Sequence, residues 1–288
     1  MPRQLTIVEP TKRPYWQIVQ IGAGANGSHF FRGLTQLIRT HANAFRSEKV
    51  PFSVELTIVD ADLVEHKNLS NQLFDQEDIS QFKVEALADR YGDVYDLSIR
   101  RVIEFVKDID MMRRLFTVPE VDENTQIVPI LVGMVDNNRS RQLFDAFFHS
   151  DDVKDLIWID AGVEGVEVLD VTNRELTDEE KDFIATSGFG GQVVCGVKKN
   201  GRVILDPVTR VYPNVLEDEE TAFPGESCGA LIINNPQRLV TNRMAAELAT
   251  VFFNNLLHSR SIWVHYINFS AMYGGAGVTF IPDNIHEN

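Results

Sequence analysis

The sequence predicts an α/β fold in which a mostly parallel, doubly wound sheet carries helices on both faces and continues into an antiparallel C-terminal extension. Strand and helix patterns alternate from residue 16 to residue 161, an order typical of parallel sheets. A glycine loop at 22–27 joins the first strand directly to the first helix, as in Rossmann-like nucleotide-binding folds. The alternation stops after Gly162, where a hairpin pattern begins.

The first half of the chain supplies the predicted parallel sheet. Predicted strands cover 16–22, 54–60, 99–106, 127–135 and 156–161, and predicted helices cover 28–46, 83–91 and 139–149. The apolar face of the first helix consists of Phe30, Phe31, Leu34, Leu37 and Ile38, which recur at helical spacing. In the second helix Val84, Leu87 and Ala88 form the corresponding face.

The second half supplies the antiparallel extension. Two apolar runs, 193–197 and 202–205, flank an Asn-Gly pair and predict a hairpin. An acidic loop at 213–227, a helix at 237–257, a strand at 262–269 and a glycine-rich tail follow. We expect one domain over 1–288, with a nucleotide-binding half at 15–165 and a second half at 166–288.

Composition and charge narrow the class of protein. Hydrophobic residues make up 44% of the 288 positions and charged residues 24%, which is typical of a globular protein and not of a disordered one. The net charge of −15 opposes binding to a phosphate backbone, so we expect no nucleic-acid partner. No apolar run reaches the length of a membrane span, and residues 1–14 lack a signal-peptide core. We therefore expect a cytoplasmic protein without a membrane partner.

The glycine loop is the first candidate site. Gly22 permits a tight turn after the strand, Gly24 lets backbone amides approach a phosphate, and Gly27 allows the helix to pack closely. The simpler interpretation is a glycine turn that binds nothing. No lysine of the phosphate-loop type follows the glycines, which argues against a P-loop NTPase.

The acid at the end of the second strand argues against a nicotinamide site. In a standard dinucleotide-binding fold the ribose-binding acid lies about twenty residues beyond the last glycine. Here Asp60 lies 33 positions beyond Gly27. The spacing favours another nucleotide-binding class, although a dehydrogenase stays open as an alternative.

Several polar motifs follow the glycine loop in a fixed order. They are Asp60 with Asp62, Asn68-Leu69-Ser70-Asn71-Gln72, Lys83-Val84-Glu85 and Asp136-Asn137. With the glycine loop, these motifs over about 16–145 resemble the ThiF/MoeB family, whose members activate ubiquitin-like or sulfur-carrier proteins by adenylating their C-terminus. A later stretch is similar as well, with Ser227-Cys228-Gly229, Gln237, Asn242 and Met244-Ala245-Ala246. The layout resembles most closely the ThiF-like proteins of bacterial and plasmid cassettes.

The resemblance implies a role for each motif. Asp60 would accept hydrogen bonds from the ATP ribose, and Asn68 and Lys83 would contact the phosphates. Asp136 would hold Mg²⁺, which prefers a carboxylate together with phosphate oxygens. The implied ATP site also contains Asp62, Asn71, Gln72, Asn137 and Arg141. The paired zinc cysteines of the family are absent, so we expect ATP and Mg²⁺ but no zinc.

One position departs from the family pattern. The family has an arginine where this chain has Asn71, so one phosphate-reaching cation is missing. A lost electrostatic contact of this kind costs on the order of 3 kcal/mol at a transition state. Arg139 or Arg141 could compensate from the neighbouring loop. A second family arginine usually comes from the partner subunit's N-terminal segment, a role for which Arg3 and Arg13 are weak candidates.

Each polar residue also has a simpler structural interpretation. Asp62 could cap the following loop, and residues 136–138 could be the N-cap of the next helix. Lys83 alone would be interpreted as a solvated helix residue. The joint order of the motifs is what favours a site.

The chain contains two cysteines, too few for a disulfide framework or a four-cysteine zinc site. Cys195 lies in an apolar strand and is predicted to be a core residue. Cys228 matches the family position that can receive the activated acyl group, although a structural thiol is the alternative. The nearby Glu226 opposes the thiolate form that a nucleophile needs.

Three functions from different classes are consistent with these patterns. The leading hypothesis is an ATP-dependent activating enzyme that catalyses with Lys83, Asp136, Asn68 and possible acceptor Cys228. We expect it to act as a homodimer on a ubiquitin-like or sulfur-carrier protein, and to hand its product to a conjugating-enzyme-like partner. The second hypothesis is a catalytically weak nucleotide-binding scaffold, which Asn71 favours. The third is a nicotinamide-dependent oxidoreductase.

Overall fold

The structure is a computed structural model that describes residues 2–47, 52–117, 119–167, 169, 174–217 and 237–283. Its strands are β1 Leu5–Thr6, β2 Arg13–Ile21, β3 Ser53–Val59, β4 Ile99–Val102, β5 Thr125–Gly133, β6 Leu156–Val163, β7 Gly190–Lys199, β8 Arg202–Leu205, β9 Ser261–Ile262, β10 Val264–Ser270 and β11 Gly275–Phe280. Its helices are α1 Ala25–Ser47, α2 Lys83–Tyr95, α3 Ile109–Leu115, α4 Asn138–Phe148, α5 Asp178–Thr186, α6 Val208–Val211, α7 Asn214–Glu217 and α8 Leu239–Ser259. Two short 3-10 helices, His66–Ser70 and Gln76–Asp78, lie between β3 and α2.

Nine of the described strands form one sheet. Their order is β11-β10-β7-β6-β5-β2-β3-β4, with β8 paired to β7. The strands β4, β3, β2, β5 and β6 are mutually parallel, whereas β7, β8, β10 and β11 join antiparallel. The predicted fold class, a mostly parallel α/β sheet with an antiparallel C-terminal extension, is confirmed.

Alternation along the central strands divides the core between the two faces of the sheet. In β2, Trp16 and Ile18 pack in a cluster with side chains of α1, α2 and α8. Val19 and Ile21 of the same strand pack in a second cluster with side chains of α3 and α4. Because successive strand residues point to opposite faces, a strand with large apolar side chains on both faces requires helices on both sides. This pattern is the doubly wound arrangement that the sequence predicts.

The structure differs from the predictions in the stretches 99–106 and 213–227. The predicted strand 99–106 ends at Val102, and α3 follows it. The Asp108 carboxylate caps α3 by accepting a hydrogen bond from the Met111 N–H at 2.7 Å. The predicted loop 213–227 begins with the short helix α7 instead, and its residues 218–227 lie outside the described part of the chain.

The C-terminal segment also differs. The glycine-rich tail is an edge strand, β11, which pairs antiparallel with β10 and is exposed over most of its length. The predicted hairpin is confirmed: Asn200 and Gly201 have φ angles of 52° and 77°, the positive values that a tight Asn-Gly turn requires. No helix within the described ranges combines the length and apolar character that crossing a bilayer requires.

Helices α1 and α8 pack side by side on one face of the sheet. A Cβ atom added at Gly33 would lie 3.1 Å from Thr250 Oγ1, so the two backbones approach closely there. Further along, the rings of His41 and His258 have centroids 4.0 Å apart. Both contacts have the same sequence offset, so the helices run parallel with their N-termini at the same end.

The buried His41 predicts acid sensitivity. Burial, with a smaller contribution from His258, lowers its pKa to about 4, whereas an unfolded histidine titrates near 6.5. Between these values the unfolded chain binds the proton and the folded chain does not. The free energy of unfolding should therefore fall as the pH drops from about 6.5 to about 4, by roughly 1–2 kcal/mol after allowing for solvent screening.

Urea denaturation between pH 4 and pH 7.5 measures this effect. His41→Gln should flatten the pH dependence in that window, whereas the same change at the exposed His66 should leave it as in the wild type. Identical slopes for the wild type and His41→Gln would contradict the assignment.

Candidate nucleotide-binding site

The candidate site lies where the direction of chain progression in the sheet reverses. Strand β2 pairs with β3 on one side and with β5 on the other, and Ile21 is in register with Val59 and with Gly133. Ligands of open α/β sheets bind outside the carboxyl ends of the strands at such a switch point. The loops after these three strands hold the glycine loop, Asp60 and Asp136, so most of the predicted site residues converge on one edge.

The glycine loop depends on the small size of two of its glycines. Gly22 has a φ of 99°, and a Cβ atom there would collide with the Met134 carbonyl oxygen. A Cβ atom at Gly27 would collide with the Gly22 carbonyl oxygen, whereas at Gly24 it would meet nothing within 4 Å. Gln20 Nε2 donates to the carbonyls of Gly22 and Gly27 at 2.9 and 3.0 Å and ties the loop to β2. The space beside Gly24 is therefore open to a ligand.

Alanine substitutions at these glycines should differ in effect. Gly27→Ala is expected to lower the free energy of unfolding by roughly 3 kcal/mol, because the colliding atom belongs to the backbone. Gly24→Ala should change it by less than about 1 kcal/mol. Urea denaturation of both variants tests the pair, and equal losses would show that the loop relaxes around either side chain.

Asp60 anchors the glycine loop to β3. Its Oδ2 accepts the Ala23 N–H at 2.7 Å and its Oδ1 accepts the Asp62 N–H at 2.8 Å. Burial raises the pKa of Asp60, and the positive charge of Lys83 and the two backbone donors act against that increase. Both oxygens thus have a backbone donor, and each keeps a further lone pair for a ligand hydroxyl.

Lys83, the first residue of α2, is a buried cation at the centre of the site. Its side chain is 7% exposed, and its Nζ lies 2.8 Å from Asp62 Oδ2. Burial alone would lower its pKa, but the charges of Asp60 and Asp62, and then of Asp136, outweigh burial and raise it. The interpretation of Lys83 as a solvated helix residue is therefore wrong. The lysine stays charged where an anion would enter.

The loop 65–72 contributes polar groups beside the glycine loop. Asn68 is buried, and its Oδ1 accepts the Glu65 N–H at 2.8 Å, which caps the first 3-10 helix. The backbone carbonyl of Asn71 lies 3.3 Å from His29 Nε2 of α1. Gln72 Oε1 is buried without a hydrogen-bond partner. Because an unpaired buried amide oxygen is costly, Gln72 is suited to accept a bond from a ligand.

Asp136 and Asn137 divide two tasks between them. Asn137 Oδ1 accepts the Ser140 N–H at 2.8 Å and is the N-cap of α4, as the simpler interpretation predicts. The side chain of Asp136 is exposed towards the site and contributes to the charge around Lys83. Within the described ranges no three His, Cys, Asp or Glu side chains form a metal cluster. A single carboxylate still suits Mg²⁺, which takes one or two carboxylates and completes its shell with phosphate oxygens and water.

Arg141 is committed to the protein interior. Its Nε donates to Asp160 Oδ1 at 2.8 Å, and the side chains of both residues are almost fully buried. Its Nη2 donates to the Val135 carbonyl at 2.7 Å, and Nη1 lies 3.3 Å from Asn138 Oδ1. These contacts clamp the loop that carries Asp136. The geometry gives Arg141 a positioning role and does not support the predicted phosphate contact.

A comparison with models of known protein families identifies the chain. The model described as the ThiF family matches residues 16–249. This chain belongs to the ThiF family. A search of curated proteins finds no match.

Solved structures with the same fold include two proteins. E. coli MccB, in the structure with AMPCPP and MccA, has a TM-score of 0.54 and 14% sequence identity, over 94% of this chain and 65% of MccB. MccB with ATP has a TM-score of 0.53 at 14% identity, over 92% of this chain and 64% of MccB. PaaA has a TM-score of 0.54 at 14% identity, over 93% of this chain and 64% of PaaA. The chain thus spans less than two thirds of these relatives' length, and the likeness establishes the fold.

The cysteines of this ThiF-family chain have separate outcomes. Cys195 is fully buried in β7, as predicted for a core residue, and burial raises the pKa of its thiol. Cys228 and Glu226 lie outside the described residues. Arg13 lies at the opposite end of β2 from the glycine loop and pairs with Asp122 at 2.7 Å.

Two contributors to the ThiF-family site escaped the sequence analysis. Gln20 holds the glycine loop, and Asp160 holds Arg141. Asp160 is the one acid in an otherwise apolar strand, and Gln20 lies between the apolar residues Val19 and Ile21; these contrasts are the signal that could have identified them.

Proposed function

We propose that this chain is an ATP-dependent adenylyltransferase that activates the C-terminal carboxylate of a peptide or small carrier protein. The observation that carries the proposal is the position of Lys83. This buried lysine stands among Asp60, Asp62 and Asp136 at the switch point beside an open glycine loop. A dinucleotide site needs one ribose-binding acid and no such lysine.

The residues around the glycine loop would each contact a different part of ATP. Asp60 would accept from the ribose hydroxyls, and the N-terminus of α1 would bind the α-phosphate through its free N–H groups. Gln72 Oε1 and the polar side chains of Asn68 and Asn71 would contact the phosphates, and the unpaired Gln72 Oε1 supports this role. Asp136 would hold Mg²⁺, which when bound neutralises phosphate charge. Arg141 and Asn137 support the loop that carries Asp136, and we assign neither of them a contact with ATP.

The reaction follows from this distribution. An oxygen of the substrate carboxylate attacks the α-phosphorus, the bond from that phosphorus to the bridging oxygen breaks, and pyrophosphate leaves with the bonding electrons. Both reactants are anions, so positioning and charge neutralisation matter more than proton transfer. Lys83 can exchange its Asp62 contact for a phosphate oxygen as negative charge moves to the leaving group.

The family and its relatives support the substrate class. Membership in the ThiF family supports adenylation, and MccB, solved with MccA, supports a peptide or small protein as the acyl donor. A ubiquitin-like or sulfur-carrier protein is the finer proposal, as are a homodimer, transfer to Cys228 and a conjugating-enzyme-like partner.

The test is ATP–pyrophosphate exchange with purified protein, with and without small carrier proteins encoded nearby. Exchange that depends on one carrier, and that Asp136→Asn abolishes, is the expected result. Asp155→Asn, an exposed acid away from the switch point, is the matched control. ATP binding without exchange for any carrier would favour the scaffold hypothesis.

A further inference from the structure

A small basic surface borders the candidate site. It consists of His29 and Arg32 of α1 and Arg243 of α8, and we call it the Arg243 patch. Both arginines are exposed, and within the described part of the chain neither forms an ion pair. Seven other arginines in the described ranges pair with carboxylates, namely Arg13, Arg39, Arg90, Arg101, Arg113, Arg141 and Arg174. Two exposed guanidinium groups that no carboxylate in the described ranges neutralises are available to bind an anion.

The packing of α1 against α8 determines the position of Arg243 along the axis of α1. The pairs Gly33–Thr250 and His41–His258 share one sequence offset, which places Arg243 level with Asn26. Asn26 lies in the first turn of α1, within the glycine loop. Arg243 is therefore placed beside the N-terminus of α1, where the proposed nucleotide phosphates would bind.

The other members of the patch approach the same point. Arg32 follows His29 by three residues on the same face of α1, and helical side chains lean towards the N-terminus. His29 Nε2 lies 3.3 Å from the Asn71 carbonyl, so the loop of Asn71 packs against the patch. Burial lowers the pKa of His29 and the Asn71 carbonyl opposes that decrease; the charges of Arg243 and Arg32 also lower it, as expected if both guanidinium groups lie near the ring.

The chemistry of the patch fits the far phosphates of a nucleotide. A nucleotide with its ribose at Asp60 and its α-phosphate at the glycine loop would extend its remaining phosphates past the first turn of α1. Guanidinium groups bind phosphate oxygens bidentately and stay charged at any working pH. Position 71, on the loop packed against the patch, supplies only a neutral amide. We propose that Arg243, assisted by Arg32, binds the β- and γ-phosphates of ATP, an inference that rests on the proposed function.

The test compares nucleotides that differ only in those phosphates. Dissociation constants for ATP and AMP are measured by calorimetry with Mg²⁺ for the wild type, Arg243→Gln, Arg32→Gln and the double variant. The double variant should bind ATP about tenfold more weakly and AMP within about twofold of the wild type. Arg114→Gln, an exposed arginine on α3 at the opposite face of the sheet, is the matched control.

A rescue variant separates the charge from the fold. Asn71→Arg added to the double variant should restore ATP affinity, because it returns a cation to the same surface. Unchanged ATP affinity in the double variant, or equal losses for ATP and AMP, would overturn the inference. A loss confined to the KM of a carrier protein would also overturn it, since the patch would then dock that protein.

The outcomes distinguish this inference from the proposed function. If the wild type exchanges pyrophosphate and its arginine variants bind ATP normally, only the phosphate-binding role of the Arg243 patch is refuted. A wild type that binds no ATP would refute the proposed function, and this inference with it.

Discussion

Replacing Arg141 by methionine is expected to lower the free energy of unfolding by about 3–5 kcal/mol. The substitution leaves the buried Asp160 carboxylate without its cation and frees the Val135 carbonyl. Urea denaturation at pH 7 measures the loss. Arg113→Met, which breaks an exposed ion pair with Asp152, is the matched control and should change stability little.

The pH dependence of that loss provides a second test. Burial already raises the pKa of Asp160, and Arg141 opposes the increase. Without the guanidinium, the folded-state pKa of Asp160 rises further above its unfolded value, so the folded variant takes up a proton first. The destabilisation should therefore shrink as the pH falls through that raised pKa. A loss that is constant from pH 7 to pH 4 would argue against an unpaired carboxylate as its cause.

Replacing Lys83 by methionine is expected to lower the pyrophosphate exchange rate on the order of a hundredfold to a thousandfold. The variant keeps the length of the side chain and loses the one buried cation among Asp60, Asp62 and Asp136. Leaving-group charge would then build up beside uncompensated carboxylates. Exchange at saturating ATP measures the effect, because it separates catalysis from nucleotide affinity.

A matched variant shows whether the loss of exchange depends on the position of Lys83 or follows from the loss of any nearby positive charge. Lys67→Met removes an exposed lysine from the neighbouring loop, where Lys67 pairs with Glu65, and should leave exchange unchanged. Thermal unfolding of both variants checks that the fold persists. Full exchange activity in Lys83→Met would refute the role proposed for Lys83.

The order of the central elements was predictable because burial on two faces leaves a direct trace in the sequence. Strands such as β5 and β6 are almost continuously apolar, and α1 repeats its large side chains at helical spacing. The edge strand β11 was not predicted. Its first three residues are glycine or alanine and most of the strand is exposed, so no alternation of apolar and polar side chains marks it.

The members of the site were more predictable than their contacts. Motif order placed Asp60, Lys83 and Asp136 at one edge of the sheet, where parallel strands end. The partner of Arg141 was not predictable, because no local pattern links a residue of α4 to Asp160 in β6, and only the folded chain brings the two side chains together. Only the folded chain shows that the guanidinium of Arg141 donates its hydrogen bonds to buried acceptors, whereas the side chain of Arg243 is exposed at the surface.

The anchoring of the glycine loop by Asp60 makes the site preorganised. The carboxylate that would bind the ribose hydroxyls already accepts a hydrogen bond from the Ala23 N–H, so the loop has its conformation before a nucleotide binds. The entropy of ordering the loop is then lost during folding and not during binding. Nucleotide affinity and thermal stability therefore share one determinant, and a change at Asp60 cannot alter the first without the second.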